Sequence, residues 1–199
     1  MEVFDHLRTL TALGGYTIKE QVTNTITDYY LDTADRLILQ GGFACRVRHN
    51  HTQGTWVGTL KGIGSLGGVQ GSIHTRAEYE TPIPPDSAPE QWPASPARDR
   101  ALQLSRAQPL ARLFSIRQTR HTSLICLRDL VVAELSLDEV EFEVGERQVK
   151  SLELEIELKG EGTLDDLRAL NLALADYDLT PQPKSKFERG LAFLDPRAT

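Results

Sequence analysis

The sequence predicts an α+β fold in which a large antiparallel sheet carries most of the chain. Many segments alternate apolar and polar residues as strands do, whereas only three segments repeat apolar residues at helical spacing. Because helices and strands are segregated along the chain, α+β is favoured over a parallel α/β arrangement. With 199 residues, 40% of them hydrophobic, the chain is expected to form a single domain over residues 1–199 with an ordinary core.

Three segments are predicted to be helical. The first covers residues 3–13 and is expected to stop at Gly14-Gly15. The second lies within residues 93–114, where prolines interrupt the pattern. The third covers residues 163–177 and is expected to begin with the Thr163 hydroxyl as its cap, because that side chain can accept from a free N–H of the first turn.

The other patterned segments are predicted to be strands, separated by glycine-rich and proline-rich turns. They are residues 16–30, 43–49, 55–61, 74–81, 115–127, 130–137, 141–144, 152–159 and 184–194.

Charge and composition exclude several classes of protein. The formal net charge of −6 argues against a general nucleic-acid or anionic-membrane binder, which needs a basic surplus. No apolar run approaches the ~18 residues that span a bilayer. Two cysteines, Cys45 and Cys126, are too few for a disulfide scaffold, so a reducing, cytoplasmic location is expected. The expected partners therefore include neither nucleic acid nor membrane.

Two motifs are weaker than they look. Residues 62–67 read G-x-G-x-x-G, but a strand-like run follows them instead of a helix, so a hairpin loop is favoured over a dinucleotide site. His49 and His51 alternate on a strand, as metal ligands can, but no third ligand lies nearby. Solvated turn histidines are the favoured interpretation of that pair.

The informative pattern is charge concentrated on one face of several predicted strands. Alternate residues of a strand share a face, and Glu153, Glu155 and Glu157 alternate with Leu154 and Ile156. The same alternation places Arg46 with Arg48, Thr59 with Lys61, Arg76 with Glu78 and Glu80, and Glu134 with Asp138.

For any one strand, an antiparallel sheet with one solvated face explains this pattern. Carboxylates two residues apart repel each other, however, unless a cation or a basic partner neutralises them. If the sheet curls shut, the charged faces meet in one lumen. Such a lumen is suited to phosphate chains and to a hard divalent cation.

These residues fall into an ordered set of motifs that resembles a known family. In chain order they are Tyr29-Tyr30-Leu31-Asp32-Thr33, Ala44-Cys45-Arg46-Val47-Arg48, Thr59-Leu60-Lys61, Arg76-Ala77-Glu78-Tyr79-Glu80, Arg120, the residues from Glu134 to Asp138, the strand at 151–159 and Lys184-Ser185-Lys186-Phe187-Glu188-Arg189-Gly190. The chain resembles the CYTH domain, or triphosphate tunnel metalloenzyme, family. That family includes inorganic triphosphatases, thiamine triphosphatases and class IV adenylyl cyclases, and the bacterial inorganic triphosphatase branch is the most similar.

The resemblance implies an antiparallel β-barrel tunnel with helices packed outside, which hydrolyses a triphosphate, with inorganic triphosphate as the leading substrate. It implies that substrate phosphates are bound by Arg46, Arg48, Lys61, Arg76, Arg120, Lys184, Lys186 and Arg189, the last of which is equally suited to a structural salt bridge. It implies Mg²⁺ or Mn²⁺ held by Asp138, Glu153, Glu155 and Glu157. The catalytic candidates are Lys61, Arg76, Glu78, Glu80 and Glu134.

One departure from the family pattern leaves alternatives open. The family opens with a strand carrying E-x-E-x-K, and this sequence begins at the helix that normally follows it. We expect either that the true start lies upstream or that the protein is a variant with weakened catalysis. A class IV-type adenylyl cyclase and a polyphosphate- or nucleotide-binding module are the alternative functions, and a homodimer is an open alternative for assembly.

Overall fold

The structure, a computed structural model, describes residues 2–63 and 77–194 and confirms the α+β class. The helices are α1 (Glu2–Arg8), α2 (Leu37–Gln40), α3 (Pro96–Ser105), α4 (Leu164–Ala173) and α5 (Lys186–Leu194), with a 3₁₀ turn at Pro89–Gln91. The strands are β1 (Ala12–Leu13), β2 (Tyr16–Asp32), β3 (Phe43–Asn50), β4 (Thr55–Gly62), β5 (Glu78–Pro82), β6 (Ala111–Leu127), β7 (Leu130–Val144) and β8 (Arg147–Leu158).

All eight strands belong to one sheet. Its order is β5-β4-β3-β2-β6-β7-β8, and β1 pairs with β2 outside this order. The pairings of β2 with β1 and β3, and of β4 with β3 and β5, are antiparallel. Within residues 2–63 and 77–194, β5 and β8 stand at the two ends of the order, so the sheet is not closed there.

The chain divides into two compact units, and the long strands contribute to both. The first unit comprises Met1–Thr25, Gln118–Val140 and Lys150–Pro181, and the second comprises Ile26–Arg117, Glu141–Val149 and Gln182–Thr199. A single domain over residues 1–199 stays a prediction.

In the first unit, helices α1 and α4 contribute to a core built against β7. Leu7 and Leu170 from the helices are buried in one cluster with Leu135 and Leu137. Helix α4 starts as predicted, because the amide of Asp166 donates to Thr163 Oγ1 at 3.2 Å and the Thr163 amide donates to Asp166 Oδ2 at 2.8 Å.

In the second unit, the apolar face of β3 and β4 packs against α3 and the segment before it. Cys45 and Leu60 are fully buried there together with Trp92. The indole of Trp92 lies so close to β4 that a Cβ on Gly58 would be 2.7 Å from its Cη2, which explains the glycine at that strand position. Because this face of β3 is filled, Arg46 and Arg48 occupy the opposite face, as the alternation predicts.

The predicted strand at residues 184–194 is wrong, because this segment forms helix α5 from Lys186 to Leu194. The amide of Ser185 donates to Glu188 Oε2 at 2.7 Å, and the Glu188 amide donates to Ser185 Oγ at 3.3 Å, which is a reciprocal helix cap. Phe187 and Gly190 form the buried side of the helix. At Gly190 any Cβ would collide with the ring of Phe114, so the helix backbone rests directly on that ring.

Three other boundaries differ from the predictions. The first helix ends at Arg8 and not at Gly14. Gly14 and Gly15 have positive φ angles of 57° and 87° and form the turn between β1 and β2. The second helix is confined to Pro96–Ser105, and β6 begins at Ala111. The two strands predicted at 130–137 and 141–144 form the single strand β7. The second half of the predicted strand at 74–81 is confirmed, from Glu78 onward, and residues 74–76 lie outside the described part.

Among the residues that the structure describes, no helix has the length and hydropathy needed to cross a bilayer. Cys45 and Cys126 are both free and buried.

Candidate functional site

In the second unit, the polar face of β2–β5 gathers charges of both signs into one group, the β2–β5 cluster. The register of the strands brings these side chains together, because residues that pair directly on neighbouring strands point to the same side of the sheet. Asp28 pairs with Arg48, Arg46 with Thr59, Thr59 with Glu80, and Lys61 with Glu78. The cluster consists of Asp28, Arg46, Arg48, Thr59, Lys61, Glu78 and Glu80.

Asp28 anchors the base of the β2–β5 cluster. Its side chain is completely buried. Arg48 donates to both of its oxygens, from Nε to Oδ1 at 2.7 Å and from Nη2 to Oδ2 at 2.8 Å. Arg46 Nη1 lies 3.9 Å from Asp28 Oδ2. A buried carboxylate held by two hydrogen bonds fixes the arginine geometry more firmly than a surface pair does.

Arg46 is held from the solvent side by a different carboxylate. Its Nη2 donates to Glu80 Oε1 at 3.2 Å and to Thr59 Oγ1 at 3.2 Å. Thr59 is fully buried and donates its hydroxyl to the same Glu80 oxygen at 3.1 Å. The Glu80 side chain is 51% exposed. Glu80 is therefore a surface partner of Arg46, in contrast to the enclosed Asp28.

Lys61 and Glu78 form the outer pair of the β2–β5 cluster. Lys61 Nζ donates to Glu78 Oε2 at 2.9 Å, and Arg46 Nη2 lies 3.6 Å from Glu78 Oε1. Partial burial raises the pKa of the Glu78 carboxyl. The Lys61 hydrogen bond and the neighbouring positive charges outweigh burial, so the pKa of Glu78 is lowered overall. Glu78 is ionised at neutral pH and neutralises part of the cationic charge.

Tyr30 and Lys186 bring helix α5 to the same cluster. Burial and then the charge of Asp28 raise the pKa of the Tyr30 phenol, whereas the charges of Arg46, Arg48 and Lys186 lower it. The opposing effect of Lys186 means that the first residue of α5 lies within electrostatic range of this hydroxyl. The Tyr30 ring packs against Phe114 and Phe187, with centroids 4.9 and 5.3 Å away.

The two other predicted phosphate-binding residues of this region are placed differently. Lys184 is exposed in the segment before α5. Arg189 places its guanidinium 4.9 Å from the ring centroid of Phe142, which supports the structural alternative for this residue.

In the first unit, a second group of charges, the β6–β8 cluster, is centred on Arg120. Arg120 donates from Nε to Asp138 Oδ1 at 2.7 Å and from Nη2 to Asp138 Oδ2 at 2.6 Å. The same Nη2 donates to Glu155 Oε2 at 3.0 Å. The Asp138 side chain is fully buried and that of Glu155 is 49% exposed. One guanidinium thus neutralises an enclosed carboxylate and a solvent-facing one.

The other predicted carboxylates lie on the same strands. Glu153 accepts from Ser151 Oγ at 2.8 Å. Glu157 accepts from Lys159 Nζ at 3.0 Å and is 68% exposed. Glu134 is half-buried on β7, at a position whose side chain alternates with the buried Leu135. The predicted alternation of β8 is confirmed, because Leu154 and Ile156 pack on the core and the glutamates do not.

Of the predicted metal ligands, some are better placed than others to hold a divalent cation. In residues 2–63 and 77–194, no three carboxylate, imidazole or thiolate side chains are close enough to form a metal site. Asp138 is less suited, because it is fully buried and both of its oxygens already accept from Arg120. Glu153 and Glu155 do fit in their chemistry, because they offer solvent-accessible carboxylate oxygens on one face of β8, the ligand type that Mg²⁺ and Mn²⁺ prefer.

Arg76 lies outside the described residues, as does most of the glycine-rich loop. The histidine pair does not form a metal site in the described chain. His49 stacks on Trp56 with centroids 4.1 Å apart, and His51 Nε2 lies 2.8 Å from Thr27 Oγ1.

Sequence reasoning missed Asp28 as a member of the β2–β5 cluster and Tyr30 as its neighbour, paired with Arg46. Their signal was present, because alternation along β2 places Asp28, Tyr30 and Asp32 on one face. Asp32, in contrast, caps α2, accepting from the amides of Ile38 at 2.9 Å and Leu39 at 3.1 Å.

Comparison with known proteins gives the family. Residues 2–191 match the CYTH domain. The chain therefore belongs to the CYTH family, which includes triphosphatases and adenylate cyclase-like members and is metal-dependent in general. A comparison with curated proteins found no significant match.

Solved structures show the same fold at low sequence identity. A putative adenylyl cyclase from Hippeastrum, described as having a dominant triphosphatase activity, is similar with a TM-score of 0.70 and 18% identity over 96% of this chain and 90% of that one. A putative adenylate cyclase from Bacillus halodurans has a TM-score of 0.59 and 17% identity over 94% and 90% of the two chains. A protein from Pyrococcus horikoshii has a TM-score of 0.56 and 18% identity over 96% and 93%. The predicted CYTH-like α+β fold with a large antiparallel sheet is confirmed, and the sheet is open among the described residues.

Proposed function

We propose that the protein hydrolyses triphosphate-containing substrates, with inorganic triphosphate as the leading one. The observation that carries the proposal is the β2–β5 cluster, in which Arg46, Arg48 and Lys61 share one sheet face and Arg48 is fixed by the buried Asp28. Arginine and lysine donors arranged in this way suit a chain of phosphate oxygens. The membership of the CYTH family supports the same class of ligand.

In this proposal the cations of the β2–β5 cluster bind and orient the substrate. Arg46 and Lys61 donate to phosphate oxygens, and Lys186 adds a further charge from α5. Fixed positive charge of this kind stabilises the charge that spreads over the phosphoryl oxygens in the transition state. Arg48 keeps its place because Asp28 neutralises it from the buried side.

Glu153 and Glu155 are the residues that we propose to hold Mg²⁺ or Mn²⁺. A bound divalent ion would supply charge neutralisation and a lower pKa for the attacking water. Arg120 bonds Glu155 as well as Asp138, so it keeps the Glu155 carboxylate in place through Nη2 at 3.0 Å.

We place this activity in the cytoplasm, because both cysteines are free thiols that need no oxidising compartment. The proposed partner is a small triphosphate or nucleotide.

The test is phosphate release from the purified protein with inorganic triphosphate, pyrophosphate, ATP and thiamine triphosphate, each with Mg²⁺ or Mn²⁺. We expect the fastest release from inorganic triphosphate and a strong loss in Arg46→Ala. Cyclic AMP formed from ATP and Mn²⁺ would instead support the adenylyl cyclase alternative. Tight triphosphate binding without phosphate release would support a binding module and contradict the hydrolase.

A further inference from the structure

We propose that Glu80 is an intramolecular competitor for the triphosphate site, whose Oε1 occupies the position of a substrate phosphoryl oxygen. This inference rests on the proposed function, because it concerns the same cations. It goes further by assigning Glu80 a role in selecting polyphosphate over single phosphate.

The geometry around Glu80 Oε1 is that of an oxyanion subsite. The oxygen accepts from Arg46 Nη2 at 3.2 Å and from Thr59 Oγ1 at 3.1 Å. The two donors are themselves 3.2 Å apart, so one oxygen is held at the apex of a nearly equilateral triangle. A guanidinium N–H together with a hydroxyl is a donor pair that accepts a phosphate oxygen as readily as a carboxylate oxygen.

The two carboxylates on these arginines differ in how easily they can leave. Asp28 is fully buried and bonded through both oxygens, so removing it would strand an uncompensated charge. Glu80 has half of its side chain in solvent and bonds through one oxygen. Because Arg46 is 14% exposed and Glu80 is 51% exposed, the pair lies between a surface pair and a buried one, and its loss costs on the order of 1 kcal/mol. Glu80 can therefore swing into water at low cost when a stronger anion arrives.

The outer pair of the cluster offers a second position for an incoming anion. Lys61 and Glu78 form a similar ion pair at the next paired position on the same face of β4 and β5. Their side chains are 44% and 31% exposed. A triphosphate can exchange with both glutamates at once, since its charges are linked in one chain.

This exchange favours anions with several linked charges. A single orthophosphate gains one contact and must displace a carboxylate that is already in place. A triphosphate makes several such contacts but loses its translational and rotational freedom only once, which is the advantage of multivalency. The cost of displacing Glu80 is the same for both anions, so orthophosphate, the product, is left with little net affinity while a triphosphate still binds through its other contacts.

The experiment is calorimetric titration of the full chain with inorganic triphosphate and with orthophosphate, at one fixed ionic strength and without divalent metal. The variants are Glu80→Gln and Glu80→Ala, and the matched control is Glu90→Gln, an exposed glutamate in the 3₁₀ turn of the same unit. We expect both Glu80 variants to bind triphosphate about three to ten times more tightly, equivalent to roughly 1 kcal/mol. We expect a gain of similar size for orthophosphate, from a weaker starting affinity, and no change in the control.

Every outcome decides the inference. If the Glu80 variants fold but bind both anions as the wild type does, or more weakly, Glu80 merely positions Arg46 and the inference is wrong. Tighter binding in a protein that releases no phosphate would support the inference while contradicting hydrolysis. Binding that is detected only after Glu80→Ala would support it too. Absence of binding in every variant would overturn both the inference and the proposed site.

Thr59→Val adds an independent readout. Valine keeps the shape of threonine and removes the hydroxyl that donates to the shared position. If a phosphate oxygen replaces Glu80 Oε1 there, Thr59→Val weakens triphosphate binding in the Glu80→Gln background. A change confined to stability, with unaltered binding, would contradict the exchange.

Discussion

Arg48 on β3 donates two hydrogen bonds, of 2.7 and 2.8 Å, to the fully buried Asp28 with which it pairs on β2. Arg120 and Asp138 repeat this bidentate geometry in the first unit at 2.7 and 2.6 Å. In each case a buried aspartate neutralises the guanidinium of an arginine on a sheet face. Such an enclosed carboxylate orients its arginine before any ligand arrives.

Asp28→Asn is expected to destabilise the protein strongly, because it leaves Arg48 without its buried counter-charge. Breaking a buried pair from one side costs on the order of 3–5 kcal/mol. Urea unfolding followed by circular dichroism measures this, with the double variant Asp28→Leu/Arg48→Met expected to recover part of the loss. If the free energy of unfolding falls by less than about 1 kcal/mol, the Asp28–Arg48 pair contributes no more than an ordinary surface pair, which would contradict the anchoring role of Asp28.

Asp138→Asn is expected to lower the free energy of unfolding without changing the affinity for Mn²⁺. Arg120 already donates to both oxygens of this buried carboxylate, so we expect the side chain to hold Arg120 in place and not to bind the metal. Calorimetric Mn²⁺ titration and urea unfolding of the same preparation separate the two effects. A large fall in Mn²⁺ affinity with unchanged stability would restore Asp138 as a ligand.

Glu153→Gln and Glu155→Gln are each expected to weaken Mn²⁺ binding by about tenfold or more, because each removes one charged oxygen ligand. Mn²⁺ binding is measured in the absence of substrate, so the result does not depend on turnover. The matched control is Glu161→Gln, an exposed glutamate just beyond β8. Equal affinities in all three variants would contradict the proposed metal ligands.

The stability contribution of Glu78 is expected to disappear in acid. The pKa of this carboxyl in the folded chain lies below its ordinary value of 4.5. Its ionised form therefore stabilises the fold above pH 4.5, and the contribution is lost as the pH falls through the folded-state pKa. The difference in unfolding free energy between wild type and Glu78→Gln should be largest at neutral pH and shrink on acidification. A difference that grows in acid would reverse the sign of the assigned pKa shift.

Lys186→Ala is expected to raise the KM for triphosphate more than Lys184→Ala does. Lys186 begins α5, whose Phe187 ring packs against Tyr30 beside Arg46, whereas Lys184 is exposed ahead of the helix. Loss of one charged contact is worth about tenfold in affinity. Steady-state phosphate release gives both KM values, and the reverse order would show that α5 does not deliver its first residue to the substrate.

Much of the fold and of the polar surface follows from local patterns. Alternation alone puts Arg46 and Arg48 opposite Cys45 and Val47, since a filled apolar face leaves only one side for charge. The hydroxyl cap at Thr163 was equally legible, because its reciprocal bonds lie within four residues.

Long-range contacts were beyond local patterns. Residues 184–194 carry apolar positions that suit a strand or a helix, and the packing of Gly190 on Phe114 favours the helix. The reciprocal cap between Ser185 and Glu188, in contrast, was a local signal that sequence reasoning missed. The partnership of Asp28 with Arg48 depends on the register of β2 against β3, which no single strand contains. Whether the two charged clusters face one lumen stays a prediction.

The bare backbone at Gly190 has a practical use. A methyl group there would collide with the Phe114 ring and displace α5 while every ionisable side chain stayed in the sequence. Under the proposed function, Gly190→Ala is thus a charge-neutral change that would disturb the placement of Lys186, and in a screen for loss of function it would mimic the removal of a lysine.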